Sequence, residues 1–341
     1  MNPYFNNNFF EFFLTLAGRL WDFFTGKPLQ LASDELQMLT LILMAISASL
    51  VGTFLCFRKM TMLANALSHT TLTAVVVTYL VARGFIAEGG HFDMSYLLAR
   101  ESLLIGAACL MAFITAFGTQ FLVRTIAISE DAACGIVFTV LFAVGVMLVT
   151  LCSHNAHLGA ELVMGSVDAL HQDDLLLQCK VTAVILVVIF LFVRPLFVTT
   201  FDATFAHTMG LSGSLFAYLI MGLTAIVSVA AFRAVGVLLV LAFFVGPPLI
   251  ARLWTKHFMR LLFLSTCIGS LASIIAVATS RHMLSVFSLP LSTGALVVMV
   301  LATLYVFSGF KIAAFIWCNH TKEGICKFSK KYFVFPHSPR Q

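Results

Sequence analysis

FRKMTMLANALSHTTLTAVVVTYLV, residues 57–81, is the stretch that decides the reading of this chain. Arg58 and Lys59 open it, and the remainder stays apolar for about the thickness of a bilayer core. One ionisable side chain, His69, lies inside, with Asn65 one helical turn before it. Residues four apart share a helix face, so the two project in the same direction. A polar pair on one face of a spanning helix is costly against lipid and belongs against protein or a water-filled path. Packing against a neighbouring helix and a functional role both meet that requirement. The small residues around the pair, Ala64, Ala66, Ser68, Thr70 and Thr71, allow close helix approach in either case.

The composition agrees with a membrane protein. Of 341 residues, 60% are hydrophobic and 10% charged, where soluble domains carry roughly 25% charged residues. Mean hydropathy is +1.01. The net charge of +5 sits mostly in short loops and the C-terminal tail, as cytoplasmic positive charge does, and calls for no nucleic-acid partner. The eight cysteines are scattered and form no CxxC pair, so neither a disulfide framework nor a thiolate metal site is implied. The start, MNPYFNNNFFEFF, lacks the basic region of a cleavable signal.

Working outward, residues 9–24 are apolar but carry Glu11, Arg19 and Asp22, which suits an interfacial amphipathic helix better than a span. Spans are expected at about 36–57, 62–81, 102–123, 133–152, 181–198, 215–231, 235–253, 261–279 and 289–310. The supported range is eight to ten spans, an all-α polytopic transmembrane bundle. Arg233 separates the sixth and seventh spans, and Gly246-Pro247-Pro248 should kink or interrupt the seventh. With nine alternating spans, Arg58-Lys59, Arg124, the group Arg252, Lys256 and Arg260, and the tail share one side, assigned as cytoplasmic. The N-terminus then lies outside, unless residues 9–24 also span. Three regions follow: an N-terminal interfacial segment (1–35), the transmembrane domain (36–310) and a basic cytoplasmic tail (311–341).

Several chemistries are excluded. Gly26-Lys27 is followed by Pro28 and lacks the spacing of a phosphate-cradling loop, so the chain should not hydrolyse ATP itself. Neither a G-x-S-x-G elbow nor an H-E-x-x-H zinc helix occurs. Residues 153–176 carry His154, His157 and Glu161, a loose cluster of borderline-metal ligands facing the outside. A solvated loop beside the membrane explains them as well and is the commoner arrangement. The tail's Cys318, His320, Cys326 and His337 lack zinc-site spacing.

Residues 58–72, RKMTMLANALSHTTL, resemble the signature after the first span of the ABC-3 family, the permease subunits of bacterial manganese, zinc and iron ABC importers. Its usual form is Arg-Arg-Met, several residues, then Gly-Asp-Ala-[Ile/Leu]-Ser-His-[Ala/Ser]-x-Leu. Arg58, Met60, Ala66, Leu67, Ser68, His69 and Leu72 match it. Residues 201–212, FDATFAHTMGLS, are similar to the family's Phe-Asp-x-x-x-Ala-x-x-x-Gly segment. Residues 231–253 are similar to its Val-Gly-x-Leu-Leu-Val…Pro-x-x-x-Ala-Arg run, and LPLSTGALVVMV near the end to its Leu-Pro-x-Gly element with one added residue. The resemblance covers about residues 36–308, and four ordered blocks make it specific.

The resemblance implies a permease of the type II ABC importer kind in the inner membrane. It would dimerise, with two ATPase subunits below and a metal-binding lipoprotein or periplasmic protein above. No cofactor would be held stably; the transported ion would be manganese, zinc or iron. His69 matches the family's metal-path histidine, while Asn65 replaces its aspartate and removes the negative charge. That departure favours a heterodimer in which a second permease supplies the charged half. Residues 201–212 take the place of the coupling helix, with Phe201 and Asp202 leading in, Ala206 on the face shared with Asp202, and Gly210 placed to end the helix. Ala206→Trp is expected to leave the permease folded but uncoupled. The chain is then no enzyme by itself. Rivals are an ion-gradient secondary transporter, which the scarcity of membrane carboxylates disfavours, and a permease for a metal chelate such as a siderophore or cobalamin. An intramembrane enzyme is also disfavoured, because Ser68 and His69 do not share a face.

Overall fold

The computed structural model describes Tyr4, residues 9–25 and 32–58, Met60, Ala66, Thr73, residues 101–152, Val167 and residues 170–320. Ten helices account for nearly all of them: α1 (Phe9–Phe24), α2 (Ser33–Arg58), α3 (Glu101–Ile126), α4 (Glu130–Cys152), α5 (Gln172–Phe201), α6 (Ala203–Thr208), α7 (Gly213–Val235), α8 (Val237–Trp254), α9 (Phe258–Phe287) and α10 (Thr293–His320). Among the described residues there is no strand. Among the described residues, six helices are long and apolar enough to cross a membrane, and Leu238–Trp254 is a shorter apolar one. The span expected at 62–81 lies outside the described residues, apart from Ala66 and Thr73. The chain is a multi-pass membrane protein.

α2 is the centre. Its small residues Ala45, Ala48, Ser49 and Gly52 let neighbouring backbones approach, which is how helices associate where lipid is as apolar as leucine. A Cβ at Gly269 of α9 would stand 3.2 Å from the Ala45 Cβ, and one at Gly52 only 2.0 Å from the Phe244 carbonyl oxygen of α8. Polar bonds supplement this packing. Gln178 of α5 donates to Ser47 Oγ at 3.1 Å, and the Thr182 hydroxyl donates to the Leu43 carbonyl at 3.1 Å. On the α9 side, Thr53 and Ser265 share a hydroxyl bond of 3.2 Å, and the Ser273 hydroxyl donates to the Leu41 carbonyl at 3.4 Å. The outer surface is apolar as well: Phe190, Leu238 and Phe263 are exposed, the arrangement that a hydrocarbon surround requires.

Helix boundaries differ from expectation in instructive places. α5 and α9 each run 30 residues, well past the apolar cores from which they were read. The break between the sixth and seventh spans falls at Gly236, not Arg233, because Gly236 adopts φ 88°, a left-handed conformation that costs glycine little. α8 runs continuously through Pro247 and Pro248, so of the kink or interruption expected there the interruption does not occur. Pro248 has no N–H for the Phe244 carbonyl, and that same carbonyl is the surface on which Gly52 rests. The Cα–H groups of glycine suit such a contact with a carbonyl left outside the helical ladder. α10 continues past the proposed tail boundary at 310 as far as His320.

The residues assigned to the N-terminal segment reach into the bundle. α1 forms over the residues expected, with Phe12 buried and Phe10, Leu14 and Trp21 exposed on the opposite side. Arg19 forms an ion pair with Glu35, which also accepts the Tyr4 hydroxyl at 2.7 Å and the Ala32 N–H at 3.0 Å. Burial, reinforced by the Glu35 carboxylate, pushes the Tyr4 phenol above its usual range. Next to this group, Arg281 of α9 pairs through one nitrogen with both carboxylate oxygens of Asp34. Asp34 and Glu35 also lie in the first turn of α2, where the helix dipole favours negative charge.

Candidate functional site

The opposite end of the bundle is basic, and it carries the candidate coupling segment. The Arg58 guanidinium reaches the hydroxyls of Thr199 and Thr200 at 3.3 and 3.4 Å, and Arg124 donates to the Ser214 hydroxyl. Arg252 lies 5.6 Å above the Phe57 ring. Arg58, Arg124 and Arg252, three of the positive residues expected to share one side, thus meet the ends of α2, α3, α5, α7 and α8, whereas Lys59 and the tail beyond residue 320 lie outside the described residues.

Here α5 stops and α6 starts on a single residue. Asp202 has extended backbone (φ −140°, ψ 90°), and its N–H donates to the Val198 carbonyl, closing α5. Its carboxylate accepts the Phe205 N–H at 2.9 Å, capping α6. At the far end, the Leu211 N–H donates to the Ala206 carbonyl at 2.9 Å and the Gly210 N–H to the His207 carbonyl at 3.1 Å. With Gly210 at φ 74°, this is a complete Schellman termination. The pattern of Asp202 and Gly210 therefore acts through the two caps. Ala206 is 1% exposed and faces the bundle, whereas Phe205 and Met209 are 50% and 61% exposed. Short length, two defined caps and an exposed apolar pair make α6 a rigid knob.

The floor under α6 is aromatic. Phe201 is within 4.8 Å of Phe197, 5.0 Å of Phe57 and 5.7 Å of Phe258, centroid to centroid. Sequence reading named Phe201 but passed over Phe57, Phe197 and Phe258, and over Phe205 and Met209, because a phenylalanine in an apolar chain carries no positional signal. The i,i+4 spacing of Phe197 and Phe201 was the available clue.

The remaining candidates are placed differently. Asn65 and His69 lie outside the described residues, as do His154, His157 and Glu161. Two members of the span expected at 62–81, Ala66 and Thr73, are described, and both lie against α4. Ala66 lines a cavity of about 570 Å³ with Gly135, Phe138 and Thr139. The Thr73 hydroxyl donates to the Leu141 carbonyl at 2.9 Å and sits where a Cβ at Gly145 would be, 2.1 Å away. Among the described residues, no group of three or more His, Cys, Asp or Glu side chains is placed to hold a metal ion.

The sequence model of the ABC 3 transport family matches residues 35–312. A Chlamydia trachomatis protein named "Probable metal transport system membrane protein" is 36% identical over 308 residues, 90% of this chain and 92% of its own length. A Halalkalibacterium halodurans protein named "Manganese transport system membrane protein MntC" is 28% identical over 288 residues, 84% of this chain and 90% of its own. Among solved structures, PsaBC from Streptococcus pneumoniae in complex with Fab superposes with TM-score 0.62 at 24% identity. The match covers 80% of this chain and 89% of that one, a likeness of fold. The chain belongs to the ABC 3 transport family.

Proposed function

We propose that this member of the ABC 3 transport family is the membrane permease of an ATP-driven importer for a divalent transition metal. The observation that carries the reading is α6, a doubly capped knob with Phe205 and Met209 exposed at the basic end of a polytopic bundle. An exposed apolar pair on a rigid element is suited to a groove in a partner. The basic end is cytoplasmic by the bias of positive charge, so the partner is a separate ATPase subunit. Hydrolysis would belong to that subunit. Manganese is the first candidate for the transported ion, because relatives named for manganese transport span nearly the whole domain. The ion would arrive from an external binding protein and pass a weak, transient site containing His69 and Asn65, since a path must release what it binds. With an amide in place of a carboxylate at Asn65, a second permease chain is the natural source of the missing charge. The membrane is the bacterial inner membrane.

The test is metal content, counted by mass spectrometry, in a transport-deficient host expressing this chain with its ATPase and binding protein. Wild type should accumulate one metal, His69→Ala should lose that uptake, and Asn65→Asp should keep or raise it. Uptake that survives His69→Ala would remove His69 from the path. Absence of ATP-dependent uptake in wild type would remove the importer reading itself.

A further inference from the structure

The knob needs something to push on. Phe201 immediately precedes Asp202, so any force on α6 enters the bundle at that ring. Phe258, 8% exposed at the first position of α9, is the ring that joins the other parts. Its centroid is 5.7 Å from Phe201 and 5.1 Å from Phe197 on the α5 side, and 5.2 Å from Phe54 and 5.7 Å from Phe57 on α2. These are tilted or edge-to-face contacts in the preferred range of centroid spacing. One side chain therefore bridges the ends of three helices directly beneath the coupling element.

Beyond Phe258, α2 and α9 are fastened along their whole length. Next to the rings is the bond between Thr53 and Ser265, then the close approach of Gly269 to Ala45, then the bond from Ser273 to the Leu41 carbonyl. At the far end stands the ion pair of Asp34 and Arg281. A close-packed pair held at both ends moves as a unit, because packed interfaces switch between arrangements and do not deform continuously. The 26 residues of α2 carry that motion about 39 Å, from the coupling element to the opposite end.

We propose that Phe258 is a positioning residue that gears the Ala203–Thr208 helix to a rigid α2–α9 lever, so that strokes of the partner ATPase reach the far end of the bundle. The inference rests on the importer reading. It assigns Phe258 a role in the ratio of metal moved to ATP hydrolysed, distinct from any role in stability.

The experiment uses the full complex with ATPase and binding protein in proteoliposomes, and measures manganese uptake, ATP hydrolysis and thermal midpoint for each variant. Phe258→Leu keeps apolar bulk and loses the ring edges. Phe243→Leu, a buried substitution in α8 away from the cluster, controls for lost packing. Phe258→Leu should lower manganese moved per ATP by about tenfold, the scale on which single contacts tune coupling. Phe243→Leu should leave the ratio within about twofold at a similar loss of thermal midpoint. Phe57→Leu, at the half-buried rim of the cluster, repeats the test with less risk to folding and should lower the ratio in the same direction. An unchanged ratio in Phe258→Leu and Phe57→Leu, or an equal fall in Phe243→Leu, overturns the proposal. A wild-type complex that hydrolyses ATP without moving metal overturns the importer reading, and the lever with it.

Discussion

Replacing Gly52 with alanine tests the α2–α8 contact on which the centre of the bundle depends. The new methyl carbon would stand 2.0 Å from the Phe244 carbonyl oxygen, 2.8 Å from its carbonyl carbon and 2.9 Å from its Cα. A carbon resting on a carbonyl oxygen needs about 3.3 Å. The helices would have to part by about 1.3 Å, the difference between that spacing and the 2.0 Å found. All three atoms are backbone, so no rotamer change relieves the clash. A gap of roughly 0.5–1 Å already forfeits a quarter to a half of the dispersion energy at each contact. Overpacking of a tight interior costs about 1–3 kcal/mol. Alanine's better helix propensity returns about 1 kcal/mol, which leaves a net loss of about 1–2 kcal/mol if the overpacking lies in the upper part of its range. Thermal unfolding of the purified permease in detergent reads this directly. Gly106→Ala and Gly222→Ala supply the controls, because a Cβ at either position meets nothing within 4 Å. Gly52→Ala should melt below wild type, while the controls melt at or above it. If Gly52→Ala is as stable as the controls, α2 does not rest on the Phe244 carbonyl and the account of α8 passing through two prolines fails.

Three further predictions concern the two ends of the bundle. Arg281→Ala leaves the Asp34 carboxylate buried without its guanidinium, which should cost about 3–5 kcal/mol. Asp34→Asn with Arg281→Gln should recover part of that loss in the same melt, and single variants as stable as wild type would show that the pair contributes little. At the basic end, Phe205→Asp should leave the thermal midpoint of the isolated permease unchanged and weaken capture of the ATPase by about tenfold or more. Ala206→Trp, by contrast, has no room at 1% exposure and should lower the midpoint, which makes it a poorer probe of coupling than the sequence suggested. Undiminished ATPase capture by Phe205→Asp would show that the exposed face of α6 is not the docking surface.

Much of the architecture could be read from residues alone, for identifiable reasons. Apolar runs of membrane length are legible because the bilayer demands them, and basic residues at their ends are legible because charge sets orientation. Asp202 and Gly210 mark the two ends of α6 by local chemistry, a carboxylate for an orphan N–H and a residue without a Cβ for a left-handed turn. Such signals act within a few residues of themselves, so one chain of letters carries them.

The partners across the bundle could not be read that way. In a membrane, the lipid-facing and protein-facing sides of a helix are both apolar, so hydropathy does not reveal that α2 is the central helix and Phe190 of α5 lies on the rim. Asp34 and Arg281 are 247 residues apart, and only the fold turns two costly charges into a bonded pair. Pro247 and Pro248 read locally as a kink or a break. The tertiary structure keeps α8 whole by bringing Gly52, the one residue small enough, onto the Phe244 carbonyl that Pro248 leaves outside the helical ladder. Length, sidedness and helix ends are local properties and belong to the sequence; which apolar face meets which is decided by shape at contact, and that exists only once the helices are packed.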